Sequence, residues 1–249
     1  MNGSVGTTLG AILLGGQLSF ALSGAVAVQT FLYFRMYPKD ALRIKATVVL
    51  VWVLDSIHTA LMSAASWDYL IVHFGDVEAA DYIPTTIALT VAFTAAITLV
   101  AHLFFTYRVF RLSKSNWCIT APLVVLTFCR LLAAMVSTVE MVHLRSFHAF
   151  TEDCGYLFTL GLSISSALDI LIVCALCYFL QHSRTGFGSI DHVIDTIMIY
   201  TLNNGALTCL TTIVSMICWL TMPRNFIFLG LHFGISKRTC PAARRGLRF

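Results

Sequence analysis

Asp55 and His58 stand three residues apart in Trp52-Val-Leu-Asp55-Ser-Ile-His58-Thr59, a spacing that puts both on one face of a helix. The surrounding stretch is apolar, and an ionisable group at membrane depth is costly and usually turns into the bundle interior. Two readings fit the pair: acid–base or cation-coordinating work, or a carboxylate that orients an imidazole while both cross-link helices. A second pattern recurs every four residues: Thr86, Thr90, Thr94, Thr98, His102 and Thr106. Each such step drifts about 40° around a helix, so the stripe winds slowly. It reads either as a polar cavity wall ending in His102 or as a packing seam of small hydroxyl residues.

Gly161, Ser165 and Asp169 repeat the four-residue spacing, with Asp169 set among Ala167, Leu168, Ile170 and Leu171. Asn203, Asn204, Thr208, Thr212 and Ser215 make a further polar set, and Ala11, Gly15, Ser19 and Ser23 form a small-residue seam. Arg130 lies deeper in its apolar stretch than Glu140, and either snorkels or pairs with a carboxylate of another helix. The candidate intramembrane polar site is therefore Asp55, His58, His102, Asp169 and Asn204. No tight ligand motif such as H-E-x-x-H occurs. No lysine lies inside a complete span to hold retinal, and no cofactor is expected.

The elements that must position these groups are long uncharged stretches. No Asp, Glu, Lys or Arg occurs from residue 1 to residue 34. A bilayer core about 30 Å thick takes roughly 20 helical residues to cross. Lipid offers backbone N–H and C=O groups no partners, so each stretch satisfies its own as a helix. The expected fold is all-α, a transmembrane bundle of seven spans at 9–34, 46–72, 83–107, 117–142, 156–180, 193–220 and 226–235. The seventh, with ten apolar residues, is half a crossing. Residues 1–235 form one transmembrane domain, and 236–249 form a basic, disordered cytosolic tail. The first stretch lacks a basic leader and reads as a retained span rather than a cleaved signal peptide.

Composition agrees. The 249 residues are 58% apolar and 11% charged, with a mean hydropathy of +0.83, where a soluble domain would carry about a quarter charged residues. The net charge of +4 is no sign of nucleic-acid binding, because the basic residues gather in alternate loops. Thirteen lie in the loops after helices one, three and five and in the tail, against Arg145 and Arg224 on the other side. The positive-inside rule then puts the N-terminus outside and the tail in the cytosol. Lys39, Arg43, Lys45, Arg108, Arg111 and Lys114 face the inner leaflet and its anionic lipids, besides fixing topology. Asn2-Gly3-Ser4 fits a glycosylation sequon on the outer side. Five of the eight cysteines fall in expected helices and act as small apolar groups. Only Cys154 falls in an expected outer loop.

Several short segments together resemble a fungal multi-pass family, common in mushroom-forming basidiomycetes, whose C-terminal half is called domain of unknown function 6534. They are Tyr37-Pro38-Lys39-Asp40, Trp52 to Thr59, Tyr107-Arg108-Val109-Phe110-Arg111-Leu112-Ser113, Ser183-Arg184-Thr185-Gly186-Phe187, Tyr200-Thr201-Leu202-Asn203-Asn204-Gly205 and Met222-Pro223-Arg224-Asn225-Phe226-Ile227-Phe228. The resemblance implies a seven-helix membrane protein and no settled activity. The chain departs from it at Arg238–Phe249, where similar proteins continue with an apolar stretch and a frameshift or misassigned exon would give this basic tail.

Three functions fit these readings. The first is a receptor-like sensor with a cytosolic signalling partner, on topology alone, since rhodopsin-like receptor motifs are missing. The second is a proton-coupled transporter with an Asp/His relay. The third is an intramembrane zinc-dependent lipid hydrolase built on His58, His102 and an Asp. An enzyme is the less expected of these. Oligomeric state is not legible.

Overall fold

The computed structural model describes residues 2–74, 76, 81–182, 188–221, 228–231 and 233, with the backbone alone at 2–9, 188–198, 200, 201 and 204. Six long helices follow in order: α1 (Asn2–Met36), α2 (Leu42–Trp67), α3 (Thr85–Leu112), α4 (Trp117–Leu144), α5 (Phe147–His182) and α6 (Gly188–Thr221). A π-helical turn, Asp68–Val72, extends α2, and no strand occurs among the described residues. Among the described residues, five helices are long and apolar enough to cross a membrane: Gly10–Met36, Leu42–Val72, Thr85–Leu112, Trp117–Leu144 and Phe147–His182. Within α6, Gly205–Thr221 is an apolar stretch. The chain is an integral membrane protein, assembled as a helical bundle in which sequence neighbours pack side by side and α3 also touches α5.

Helix ends follow local chemistry. Asn116 caps α4 by accepting a hydrogen bond from the Cys118 amide at 3.0 Å. Pro84 precedes the first turn of α3, where its missing N–H costs nothing. Lys114 and Ser115 turn left-handed after α3, and Arg145 does so after α4. Hydroxyls inside the helices mostly donate to the carbonyl four residues back, as Thr127 does to Leu123 and Ser166 to Leu162. That bond lets Ser and Thr persist where water is absent.

Helix α5 starts at Phe147, not at Tyr156, so Glu152, Asp153 and Cys154 lie on a helix rather than in a loop. At 36 residues it extends about 54 Å, well past a hydrocarbon core. Charge marks where a span leaves lipid, and the helix simply continues.

The interior has three levels along α3, the most buried of the five candidate spans. At its N-terminal end lies an aromatic cluster containing Phe150, Phe158, Trp219, Phe228 and Phe233. At its C-terminal end Val109 packs with Leu123, Leu168, Ile172 and Leu176. Between them runs a polar band, Thr94, Thr98 and His102, each at most 3% exposed.

Of the expected seventh span, residues 228–231 and 233 are described and helical. Phe228, Leu229 and Phe233 are buried. Ser215 of α6 donates to the Phe228 carbonyl and Ser19 of α1 to that of Phe233, both at 3.2 Å. Trp219 lies 4.9 Å from Phe228 between ring centroids. These described residues are thus held inside the bundle, against α1 and α6. The expected tail, 236–249, lies outside the described residues, as does the Ser183–Phe187 segment.

Candidate functional site

The polar band is built by one helix speaking to three others. Thr94 of α3 shares a 3.1 Å hydrogen bond with His58 Nε2 of α2. One turn on, Thr98 accepts from Arg130 Nη1 of α4. Another turn on, His102 Nε2 meets Asp169 Oδ1 of α5 at 3.1 Å. The donors balance: the Thr98 hydroxyl gives its own proton to the carbonyls of Thr94 and Ala95, at 2.8 and 3.0 Å, leaving its lone pairs for the guanidinium.

Arg130 and Asp169 complete the centre. Arg130 is 8% exposed, and Asp169 of α5 lies within electrostatic reach of it. Asp169 therefore hydrogen-bonds an imidazole and lies within electrostatic reach of a guanidinium. Cys209 of α6 is also within electrostatic reach of Asp169. His102 Nδ1 and Arg130 Nε make no hydrogen bond among the described residues.

Asp55 belongs to a neighbouring contact. Ser23 of α1 donates to Asp55 Oδ2 at 2.7 Å and shares a 3.1 Å hydrogen bond with Thr59. Both Asp55 and His58 are buried. Thr94 and His102, the α3 partners of the two centres, stand eight residues apart, about 12 Å along the axis.

Each expected site residue thus has a place. His102 and Asp169 meet directly, and Asp55 and His58 sit at the contacts of α2 with α1 and α3. Asn204 lies on α6, with its side chain outside the described residues. Asn2 begins α1, likewise without a described side chain. Lys39, Arg43, Arg111 and Lys114 are exposed, Arg108 is half-buried, and Lys45 donates to the Pro38 carbonyl at 2.6 Å. Among the described residues no three His, Cys, Asp or Glu side chains gather as a metal site would require. The zinc reading of His58, His102 and an Asp loses its donor set.

Sequence reasoning did not supply the partner of Arg130, nor the role of Ser23, which had looked like packing alone. A hydroxyl four residues beyond another small residue was the only signal for Ser23. Beside Arg130 lies a cavity of about 30 Å3 between α3, α4 and α5. Thr94 and Ser137 border it, and apolar walls come from Val91, Ala133, Phe158 and Leu162.

A family of unknown function (DUF6534) matches residues 165–240, about a third of the chain. That span includes Asp169 and α6. No curated protein matches the chain, and no solved structure does.

Proposed function

We propose that this chain is a seven-span protein of the fungal multi-pass kind, N-terminus outside and tail in the cytosol, acting as a receptor-like sensor. The observation that carries the reading is the way Thr94, Thr98 and His102 tie one central helix to α2, α4 and α5. A sensor needs a core with alternative packings that a stimulus can bias. Arg130 has a hydroxyl partner on α3 and a counter-charge on α5, so a small rotation of α4 exchanges one for the other. The exposed basic residues Lys39, Arg43, Arg111 and Lys114 stand at the cytosolic ends in this topology. There they meet anionic headgroups and offer a surface to a signalling partner.

A proton-coupled transporter is the second reading, favoured by the His102–Asp169 contact at membrane depth. Against it stands the size of the cavity beside Arg130, about 30 Å3, where small-molecule sites occupy roughly 300–1,000 Å3.

The test has two arms. In cells carrying a G-protein activity reporter and a terminally tagged chain, the sensor reading expects an extracellular tag at the N-terminus and a stimulus-dependent signal lost in Arg130→Met. In proteoliposomes it expects no proton or solute flux. Flux abolished by Asp169→Asn, without any G-protein signal, would replace the sensor with a carrier.

A further inference from the structure

The cavity between α3, α4 and α5 has one cationic wall and an otherwise mostly apolar lining. Its polar contributors are Thr94, Arg130 and Ser137, each more than nine-tenths buried. Arg130 reaches Thr98 through Nη1, while its Nε–H has no acceptor among the described residues. A buried donor left unmade costs about 1–3 kcal/mol, more when charged. The Ser137 hydroxyl gives its proton to the Ala133 carbonyl at 2.9 Å, so its lone pairs are open to accept. The Thr94 oxygen shares one hydrogen bond with His58 and keeps a lone pair whichever atom holds the proton. The Arg130 guanidinium and two hydroxyl acceptors thus line the same small space.

Size and charge decide the occupant. A single water needs about 10–15 Å3 of such volume and typically makes about three hydrogen bonds. The cavity, about 30 Å3, has room for one or two waters and is smaller than a metabolite site. A halide would need an excess positive charge, and Asp169 lies within electrostatic reach of Arg130.

We infer that this cavity is a water site, in which water accepts from the Arg130 guanidinium and donates to Ser137 and Thr94. The site hydrates the joint between α3, α4 and α5 from within. It rests on the cavity and on Arg130, and stands whether the chain senses or transports.

Radiolytic hydroxyl labelling of the full chain in lipid nanodiscs, in heavy-oxygen water, reads such a site directly. Leu162 lines the cavity at 7% exposed, whereas Leu123, 5% exposed, packs in the aliphatic cluster away from it. The expected result is heavy-oxygen label on Leu162 and Phe158 and none on Leu123. Filling the space by Ala133→Leu should abolish the label. Gly161→Ala is the milder variant, since its Cβ would sit 3.7 Å from the Ala133 Cβ, an ordinary contact, and it should reduce the label with the fold intact. Equal absence of label on Leu162 and Leu123 would overturn the site. So would label that changes when chloride is replaced by gluconate, which would assign the space to an anion.

Discussion

His102 Nε2 of α3 lies 3.1 Å from Asp169 Oδ1 of α5, with the imidazole 4% and the carboxylate 16% exposed. Hydrogen bonds between membrane helices average about 0.6 kcal/mol and reach about 1.7 kcal/mol. A double-mutant cycle of His102→Leu and Asp169→Asn should return a coupling toward that upper value, because one partner is a carboxylate. Reversible unfolding of the purified protein in mixed micelles is the measurement. Additive effects of the two changes would mean that the contact contributes nothing.

Asp169 matters beyond this contact, because it lies within electrostatic reach of Arg130. Taking away one partner of a buried charge set costs about 3–5 kcal/mol, whereas replacing both by apolar groups is often neutral. Asp169→Leu should therefore be strongly destabilising, and Arg130→Met/Asp169→Leu should recover most of the loss. The pair is held by proximity rather than by a direct ion pair, so the single variant belongs near the lower figure. The check is the order of midpoints in denaturant. A double variant weaker than Asp169→Leu alone would show that Arg130 does not rely on this carboxylate.

The spacing of Thr94, Thr98 and His102 made the winding stripe legible, and the structure gives that winding a consequence. Residues about 40° apart on α3 meet α2, α4 and α5 in turn. What the chain could not tell is which helix stands opposite each one, because periodicity orients a helix without naming its neighbours. The partners of Arg130 stayed hidden for that reason. Long uncharged runs announced the five apolar helices of crossing length but not the start of α5, where Glu152 and Asp153 looked like a loop. Hydropathy measures the lipid boundary there, whereas backbone hydrogen bonding sets the end of the helix.

Gly15 gives the third prediction. A Cβ there would lie 2.5 Å from the Gly230 Cα and 2.7 Å from its carbonyl oxygen, and backbone cannot yield as a side chain can. Gly15→Ala should push α1 away from the 228–233 segment and weaken the Ser19 bond to Phe233. Overpacking of this kind costs about 1–3 kcal/mol. Gly24→Ala meets nothing within 4 Å and should instead gain up to about 1 kcal/mol in helix propensity. Opposite shifts in thermal midpoint for the two variants are the expected outcome. A neutral Gly15→Ala would mean that the glycine contact is not close.

Asp81 makes the last testable contact, joining the segment before α3 to the start of α5. Its carboxylate accepts from the Ser146 hydroxyl at 2.5 Å and from the His148 amide at 2.9 Å, while its own carbonyl accepts from the Phe147 amide. Across the same clip the Ile83 amide donates to the Arg145 carbonyl at 2.9 Å. The first amides of a helix have no internal acceptors, and a carboxylate there satisfies them and complements the helix dipole. Removing such a cap costs about 1 kcal/mol, so Asp81→Ala should leave the bundle folded and loosen this end alone. Hydrogen exchange at Phe147 and His148 should quicken, while amides near Asp169 keep their protection. Asp81→Asn, which retains an acceptor oxygen, should exchange more slowly than Asp81→Ala. Unchanged exchange at His148 in the alanine variant would place the anchor of α5 in its aromatic packing, where Phe147 and Phe150 are already buried, and not in the clip.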